Sequence, residues 1–396
     1  MNGDRQGTLT DHSAPNWFEL DRDPRATLVK TSHFRRTWRV RLGDGEIFAK
    51  VFDAQRVNPF SRITHRLGLG AAQREWRASQ AAQWRGVPAV RCLALGVERK
   101  RRGAMVLLSG ALPDAISLSE AWKRGASCRA TALSLIEAVA RLFASAHNRG
   151  FVHRDAHPSN ILMKSTDDAG WEASYVDLQG ARFFNNTASR RCAVRSLAQL
   201  DHFFQRRATR SQRWRFLQRY VSLRRSFFVR GERRTFYRRL LTSIAGARAA
   251  HATALARQRD RRIHRNGKYF ATISLGNGWK GTFVLRLERR HVFPESGVSD
   301  RSKRDWTVML GPIVNEVDGA SLGHGLQMDR SRPAGTWTRL LWSLAGSPQR
   351  KEFNQSHRLR HRDVPASLIL AYLEHRGRTG LIDEGILVRV SAHGES

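Results

Sequence analysis

The first clear pattern along the chain is an alternation of apolar and basic residues near its amino terminus. Trp38, Val40 and Leu42 alternate with arginines, and a Gly-Asp-Gly turn signal follows at 43–45. Side chains of a strand point alternately to its two faces, so this pattern predicts strands over Leu28–Phe52 that are joined by a hairpin.

Helical patterns begin downstream of these strands. Ala71–Trp84 contains no helix breaker, and apolar residues fall three or four apart from Thr131 to Asn148, just before Gly150. Short apolar runs at 90–95, 104–109, 161–164 and 174–177 favour strands. The chain therefore predicts an α+β protein whose strand-rich first part is followed by a helical second part, which continues to about residue 262.

A third section repeats part of the first. Strand signals return over Lys268–Leu287, with an Asn-Gly hairpin turn at 277–278. Ala71–Ala94 can be aligned with Pro348–Ala371, and the alignment places the Val-Pro-Ala of 87–89 over that of 364–366. We interpret this match as duplication of one supersecondary unit, with chance similarity as the alternative.

Charge is the unusual property of the composition. Lys and Arg number 69 against 34 Asp and Glu, which gives a net charge of +35, and residues 201–265 contain 19 arginines and three acids. Nucleic acid, an anionic membrane face or a phosphorylated substrate could each be the partner of such a surface. Compositional bias of the genome is the alternative, so charge alone assigns no function.

Other features exclude several classes of protein. No apolar stretch is long enough to span a bilayer, and the polar amino terminus does not resemble a signal peptide. The three cysteines have no Cys-x-x-Cys spacing, which argues against a disulfide framework and a zinc ribbon. We expect a protein of the reducing cytosol.

The most informative motif lies in the middle of the chain. His153-Arg154-Asp155 is followed five residues after the aspartate by Asn160, the spacing of the kinase catalytic loop, and a predicted strand ends at Asp177 with Gly180 close behind. Phosphoryl transfer needs one carboxylate at the acceptor hydroxyl, and a separate carboxylate and amide on Mg²⁺. Asp155 would orient the hydroxyl and accept its proton, and Asn160 and Asp177 would bind metal.

Two upstream residues complete this pattern. Lys50 lies in a predicted strand and Glu75 in the next predicted helix, the order expected for a lysine that holds the nucleotide phosphates and a glutamate that holds the lysine. A second His-Arg-Asp occurs at 361–363, but Leu368 stands where the asparagine should be. We therefore assign chemistry only to the first tripeptide.

The segment from about 28 to 222 resembles the lipopolysaccharide core kinase family, bacterial enzymes that phosphorylate Kdo or heptose of the inner core. The resemblance rests on FAKVF around Lys50, AAQREWRAS around Glu75, WRGVPAV at 84–90, HRDAHPSNIL at 153–162 and VDLQGAR at 176–182. It implies ATP and Mg²⁺ as cofactors, with Lys50 and Glu75 at the phosphates, Asp155 as the base, and Asn160 and Asp177 as metal ligands.

The resemblance also implies a bilobal, protein-kinase-like fold, and the third section, with its partial repeat, resembles a second, truncated N-lobe. The predicted domains are a polar tail (1–24), a β-rich N-lobe (25–110), a helical C-lobe with Arg-rich helices (111–262) and a degenerate N-lobe-like repeat (263–396). Gln327 stands at the repeat position equivalent to Lys50, so we expect the last section to be noncatalytic.

Two features favour a sugar hydroxyl over a protein side chain as acceptor. His157-Pro158 occupies the place where protein kinases carry a lysine, and no Ala-Pro-Glu follows before the helix predicted near Ser189. The expected substrate is an anionic sugar or glycolipid, and the expected location is the cytoplasm, with peripheral contact on the inner face of the inner membrane.

Two departures leave alternatives open. The predicted loop Lys30–Arg36 has no glycine to cover the phosphates, and Gly180 follows Asp177 one residue later than in Asp-Phe-Gly. The alternatives are a pseudokinase or Arg-rich binding module for anionic membrane or nucleic acid, and a kinase of a protein or of another small molecule such as an aminoglycoside. Nucleic acid is disfavoured because no nucleic-acid-binding motif is found.

Overall fold

The computed structural model divides the chain into two compact units, Met1–Ala249 and Ala250–Ser396. It describes residues 15–32, 35–43, 45–52, 70–98, 104–168, 170–225, 233–267, 269–275, 277–285, 310 and 326–390. The division lies near the predicted domain boundary at residue 262 but does not coincide with it. No helix in these described ranges is both long and apolar enough to cross a membrane.

The first unit begins with an antiparallel sheet of strand order β1-β2-β3-β5-β4. Its strands are β1 (Ala26–Thr31), β2 (Arg35–Leu42), β3 (Gly45–Phe52), β4 (Cys92–Val97) and β5 (Met105–Gly110). The predicted hairpin joins β2 to β3, and Gly43 takes the positive φ of +55° that this turn requires. Leu20, in the predicted polar tail, is only 2% exposed and packs with Trp38 and Val40, so the folded part starts earlier than expected.

Helix α1 (Ala71–Trp84) lies between β3 and β4 in the chain, with the bounds that the sequence predicts. Small residues form its buried face, chiefly Ala72, Ala78 and Ala82, so the helix can approach the sheet closely. Phe52, Met105 and Leu107 pack against the start of this helix. The helix is thereby fixed over one face of the sheet.

The rest of the first unit is mainly helical. Its helices are α2 (Leu118–Gly125), α3 (Arg129–Asn148), α4 (Arg190–Phe204), α5 (Arg210–Leu223) and α6 (Arg233–Asp260), the last of which contains the boundary between the units. One short strand, β6 (Ile116–Ser117), directly precedes α2, and four more lie between α3 and α4: β7 (Phe151–Val152), β8 (Ile161–Ser165), β9 (Trp171–Tyr175) and β10 (Arg182–Phe183). They form the sheets β6-β8-β9 and β7-β10. The apolar face of α3 is the centre of the largest core cluster.

The buried His147 of α3 should make stability fall in acid. Its Nδ1 lies 2.8 Å from the Tyr220 hydroxyl oxygen of α5, and burial, with Arg224 nearby, lowers its pKa from 6.5 to about 3. In the unfolded chain this imidazole takes up a proton near pH 6.5, whereas in the folded protein it stays neutral down to about pH 3. The contribution of neutral His147 to the free energy of unfolding is therefore complete above pH 6.5. It is lost as the pH falls toward 3, at up to about 1.4 kcal/mol per pH unit. In urea unfolding, His147→Asn should flatten this dependence, and an unchanged slope between pH 4 and 6.5 would contradict the assignment.

The second unit contains an antiparallel sheet of strand order β11-β12-β14-β15-β13. Its elements are β11 (Phe270–Leu275), β12 (Trp279–Val284), β13 (Leu326–Ser331), α7 (Thr336–Ala345), α8 (Pro348–His361), β14 (Ile369–Arg376) and β15 (Ile382–Val390). The Asn-Gly turn joins β11 to β12, and Asn277 and Gly278 both have positive φ, as the sequence predicts for this hairpin.

The two aligned segments each contain a helix followed by a strand. Helices α1 and α8 both have 14 residues, and the positive φ of Gly86 after α1 recurs at the aligned Asp363 after α8. The sheets differ, because β4 lies at the edge of the first sheet whereas the aligned β14 lies inside the second. Because the strand positions differ, this arrangement does not establish a complete second N-lobe.

The second His-Arg-Asp has a structural role. His361 Nδ1 lies 2.8 Å from Asp260 Oδ1, and the Arg362 guanidinium lies 2.7 Å from Asp260 Oδ2. These two contacts connect the ends of α8 and α6. The structure thus accounts for the tripeptide without assigning any chemistry to it.

Candidate active site

Lys50 and Glu75 form an ion pair between β3 and α1. Ala49 and Val51 point into one apolar cluster, so the alternation of the strand turns Lys50 to the opposite face, toward α1. Lys50 Nζ lies 2.5 Å from Glu75 Oε1, and Glu75 is only 4% exposed. The pair predicted from the order of the motifs is therefore present as a direct contact.

Asp177 lies beside this pair. Its Oδ1 is 3.5 Å from Lys50 Nζ and 3.4 Å from a terminal nitrogen of Arg35, at the start of β2. Burial alone would raise the pKa of the Asp177 carboxyl, but Lys50 and Arg35 outweigh burial and lower the pKa below its ordinary value of 3.8. Asp177 is therefore an anion held by two cations at neutral pH.

The sequence pattern predicts a strand that ends at Asp177, but in the structure Asp177 lies outside the strand. Strand β9 ends at Tyr175, and Asp177 takes a left-handed conformation (φ 57°, ψ 58°) before the short 3-10 helix Leu178–Gly180. The Val176 N–H still donates to the Asn160 carbonyl oxygen, in the same register as the β8–β9 ladder, before the chain turns at Asp177. This bond ties the Asp177 segment to the predicted catalytic loop.

Asp155 and Asn160 lie together in that loop. Asn160 Nδ2 donates to both the Asp155 carbonyl oxygen and Asp155 Oδ2, each at 3.0 Å. The loop follows α3 through Gly150, whose φ is +71° and where a Cβ would collide with the carbonyl oxygens of Phe184 and Asn186. A glycine at this position thus lets the chain turn closely into the loop.

His153 supports both parts of the site. Burial lowers the pKa of its ring, which is 1% exposed and stacks on Tyr175. The Asp155 N–H donates to its Nδ1, so Nε2 carries the proton and donates to the Val176 carbonyl oxygen at 3.0 Å. One neutral imidazole therefore fixes the backbone on both sides of the site.

Two supporting residues were missed by the sequence reasoning. Arg35 was noted only as part of a loop without glycine, although Thr37 lies opposite Lys50 in the sheet and Arg35, two residues earlier, shares that face. Strand periodicity could have identified it. Gln199 of α4 accepts from the Ala156 N–H and donates to the Arg154 carbonyl oxygen, and no local pattern marks such a contact across 45 residues.

The donor set fits a hard divalent cation. Asp177 contributes an ionised carboxylate, and Asn160 turns its amide nitrogen toward Asp155, which leaves its amide oxygen as the atom for a metal. Within the described ranges no group of three His, Cys, Asp or Glu side chains could hold a metal by itself. Any cation at Asp177 must share the carboxylate with Arg35 and Lys50.

A comparison with protein families points to the same part of the chain. Residues 26–220 match the model of the family described as lipopolysaccharide kinase (Kdo/WaaP), and all five predicted site residues lie inside this match. No curated protein matches. Among solved structures, one match is "WaaP in complex with acyl carrier protein", with 20% identity, 56% of this chain and 88% of that chain covered, and a TM-score of 0.41. The segment 26–220, about half of the chain, thus matches the lipopolysaccharide kinase (Kdo/WaaP) family, and this match indicates a kinase.

Proposed function

We propose that the protein transfers the γ-phosphoryl group of ATP to a hydroxyl group of Kdo or heptose in the lipopolysaccharide inner core. The observation that carries this proposal is the set of contacts among Lys50, Glu75, Asp177 and Arg35 beside the Asp155–Asn160 loop. Phosphoryl transfer requires cations at the phosphates, a carboxylate that binds the metal, and a second carboxylate at the acceptor hydroxyl.

Each side chain has a distinct task in this mechanism. Mg²⁺, when bound with ATP, neutralises charge on the phosphate oxygens. Lys50, kept in place by the buried Glu75, donates to the phosphates, and Asn160 and Asp177 provide oxygen ligands for the metal. Asp155, which is exposed, accepts the proton of the acceptor hydroxyl.

A small acceptor is supported by the short segment after Asp177. Only residues 178–189 separate Asp177 from α4, and they contain the 3-10 turn and the two-residue strand β10. His157 accepts from the Ser159 N–H at the start of the 3-10 helix Pro158–Asn160, so it shapes the loop beside Asp155. A protein kinase would need a longer surface there to hold a peptide.

The same proposal places the enzyme on the cytoplasmic face of the inner membrane. A chain of net charge +35 is attracted to anionic lipid and to the anionic core glycolipid. The second unit would not contribute catalytic groups. Gln327 replaces the lysine, and Glu352, aligned with Glu75, is half exposed and pairs with Arg389 instead.

Acceptor competition tests the substrate class. The full chain, ATP and Mg²⁺ are incubated with equal concentrations of a deacylated Kdo-heptose core oligosaccharide, casein and an aminoglycoside, and the products are identified by mass spectrometry. We expect phosphate on the oligosaccharide. Phosphate on casein or on the aminoglycoside in preference to the glycan would contradict the proposal.

We further propose that Arg35 replaces the missing glycine-rich cover by binding phosphate oxygens. Its side chain is 11% exposed and reaches Asp177, so its guanidinium lies where the phosphates are expected. Arg35→Ala should raise the KM for ATP about 10- to 100-fold, the effect of one charged hydrogen bond. Arg41→Ala, on the same strand but 73% exposed, is the matched control. Equal KM values for the two variants would contradict this role.

A further inference from the structure

Helix α7 of the second unit exposes most of its apolar side chains. Trp342 is buried, and the neighbouring Ser343 Oγ accepts from the Ile382 N–H, so this side packs against β15. The other side carries Trp337 (78% exposed), Leu340 (36%), Leu341 (59%) and Leu344 (78%). Their spacing of three, four and seven residues places them in one stripe.

This arrangement is the reverse of a normal surface helix, which buries its apolar stripe and exposes polar residues. Contiguous exposed apolar residues usually mark an interaction surface. The alignment with the first unit begins only at Pro348, and the family match ends at residue 220, so neither similarity accounts for α7.

The charge around α7 indicates the kind of partner. No acidic residue occurs from 330 to 351, whereas five basic residues do. Arg330 and Arg332 pair with Glu384, and Arg350 pairs with Glu374, while Arg339 on α7 itself and Lys351 just after it are exposed. Basic residues beside exposed Trp and Leu are typical of helices that lie in the interface of an anionic bilayer.

We propose that α7 is a membrane-docking helix that inserts Trp337, Leu340, Leu341 and Leu344 into the surface of an anionic lipid bilayer. This deepens the membrane contact proposed above by giving it a defined surface. A bilayer is favoured over a protein partner because a single convex stripe needs no complementary groove to be buried, and because the whole chain is strongly basic.

Vesicle co-sedimentation of the full chain tests this proposal. Vesicles of phosphatidylglycerol and phosphatidylethanolamine are compared with vesicles of phosphatidylcholine, for the natural chain and for the double variant Trp337→Ser/Leu344→Gln. We expect preferential binding to the anionic vesicles and at least about a tenfold loss of affinity in the double variant. Trp84→Ser, which changes an equally exposed tryptophan (85%) on α1, should bind like the natural chain.

The remaining outcomes separate this proposal from its competitors. Unchanged vesicle binding by the double variant would overturn it, as would equal losses in the double variant and in Trp84→Ser. A dimer in light scattering that the double variant abolishes, without any change in vesicle binding, would assign the stripe to a second copy. Phosphate transfer to the soluble core oligosaccharide should be the same in the double variant, so failure of vesicle binding and failure of the proposed function are distinguishable.

Discussion

Asp155→Asn is expected to lower kcat on the core glycan by about 10²- to 10⁴-fold, the contribution of a positioned general base. The KM for ATP should change little, because the contacts that hold the nucleotide side of the site are made by Lys50, Glu75 and Asp177. Asparagine has the same shape, so the hydrogen bond from Asn160 can shift to its amide oxygen and the loop should keep its conformation. Steady-state kinetics with varied ATP and glycan separate the two parameters.

The chain contains a matched control for this substitution. Asp363→Asn changes the aspartate of the second His-Arg-Asp, whose histidine and arginine both contact Asp260. Asp363 has a φ of 59°, a conformation that asparagine also adopts. Turnover by this variant should equal that of the natural chain. Similar losses in both variants would show that the tripeptide acts through folding and not through a base at Asp155.

Asp177→Asn is expected to lower kcat by about 10²- to 10³-fold, the range for losing one electrostatic contact to the transferring group. Asparagine tolerates the left-handed backbone of this position, so the 3-10 turn should persist while the charge is removed. The concentration of Mg²⁺ needed for half-maximal rate should rise as well, because a neutral amide binds the cation less tightly than a carboxylate.

Titration of activity with Mg²⁺ measures this effect. Asp168→Asn, an exposed aspartate between β8 and β9, is the control and should leave the titration unchanged. If Asp177→Asn needs the same Mg²⁺ concentration for half-maximal rate, Asp177 is not a metal ligand. Substitution of Lys50 is less informative, because it would leave the buried Glu75 charge without its partner and so combine loss of stability with loss of activity.

The sequence predicted those parts of the fold that depend on local patterns. Alternation and turn residues located the β2–β3 hairpin, and the absence of breakers gave the bounds of α1. The kinase motif also selected Lys50 and Glu75, because a motif fixes the order of residues that later meet in space. The roles of the five site residues stay predictions until the variants are measured.

The features that depend on long-range packing could not be predicted in this way. Strand β9 ends at Tyr175 and Asp177 takes a left-handed conformation, although the apolar run alone predicts a strand that continues to Asp177. Gln199 reaches the loop from a helix more than 40 residues away. The place of β14 inside its sheet and the outward stripe of α7 are likewise properties of the assembled unit.

The most direct measurement is transfer of labelled γ-phosphate from ATP to a deacylated lipopolysaccharide core by the full chain, with and without Mg²⁺. Label on the glycan that requires Mg²⁺, and that falls at least about a hundredfold in Asp155→Asn and in Asp177→Asn, is the result we predict. Equal labelling by the natural chain and both variants, or no labelling by a folded chain that also fails to bind ATP, would contradict a phosphotransfer site at Lys50, Asp155 and Asp177.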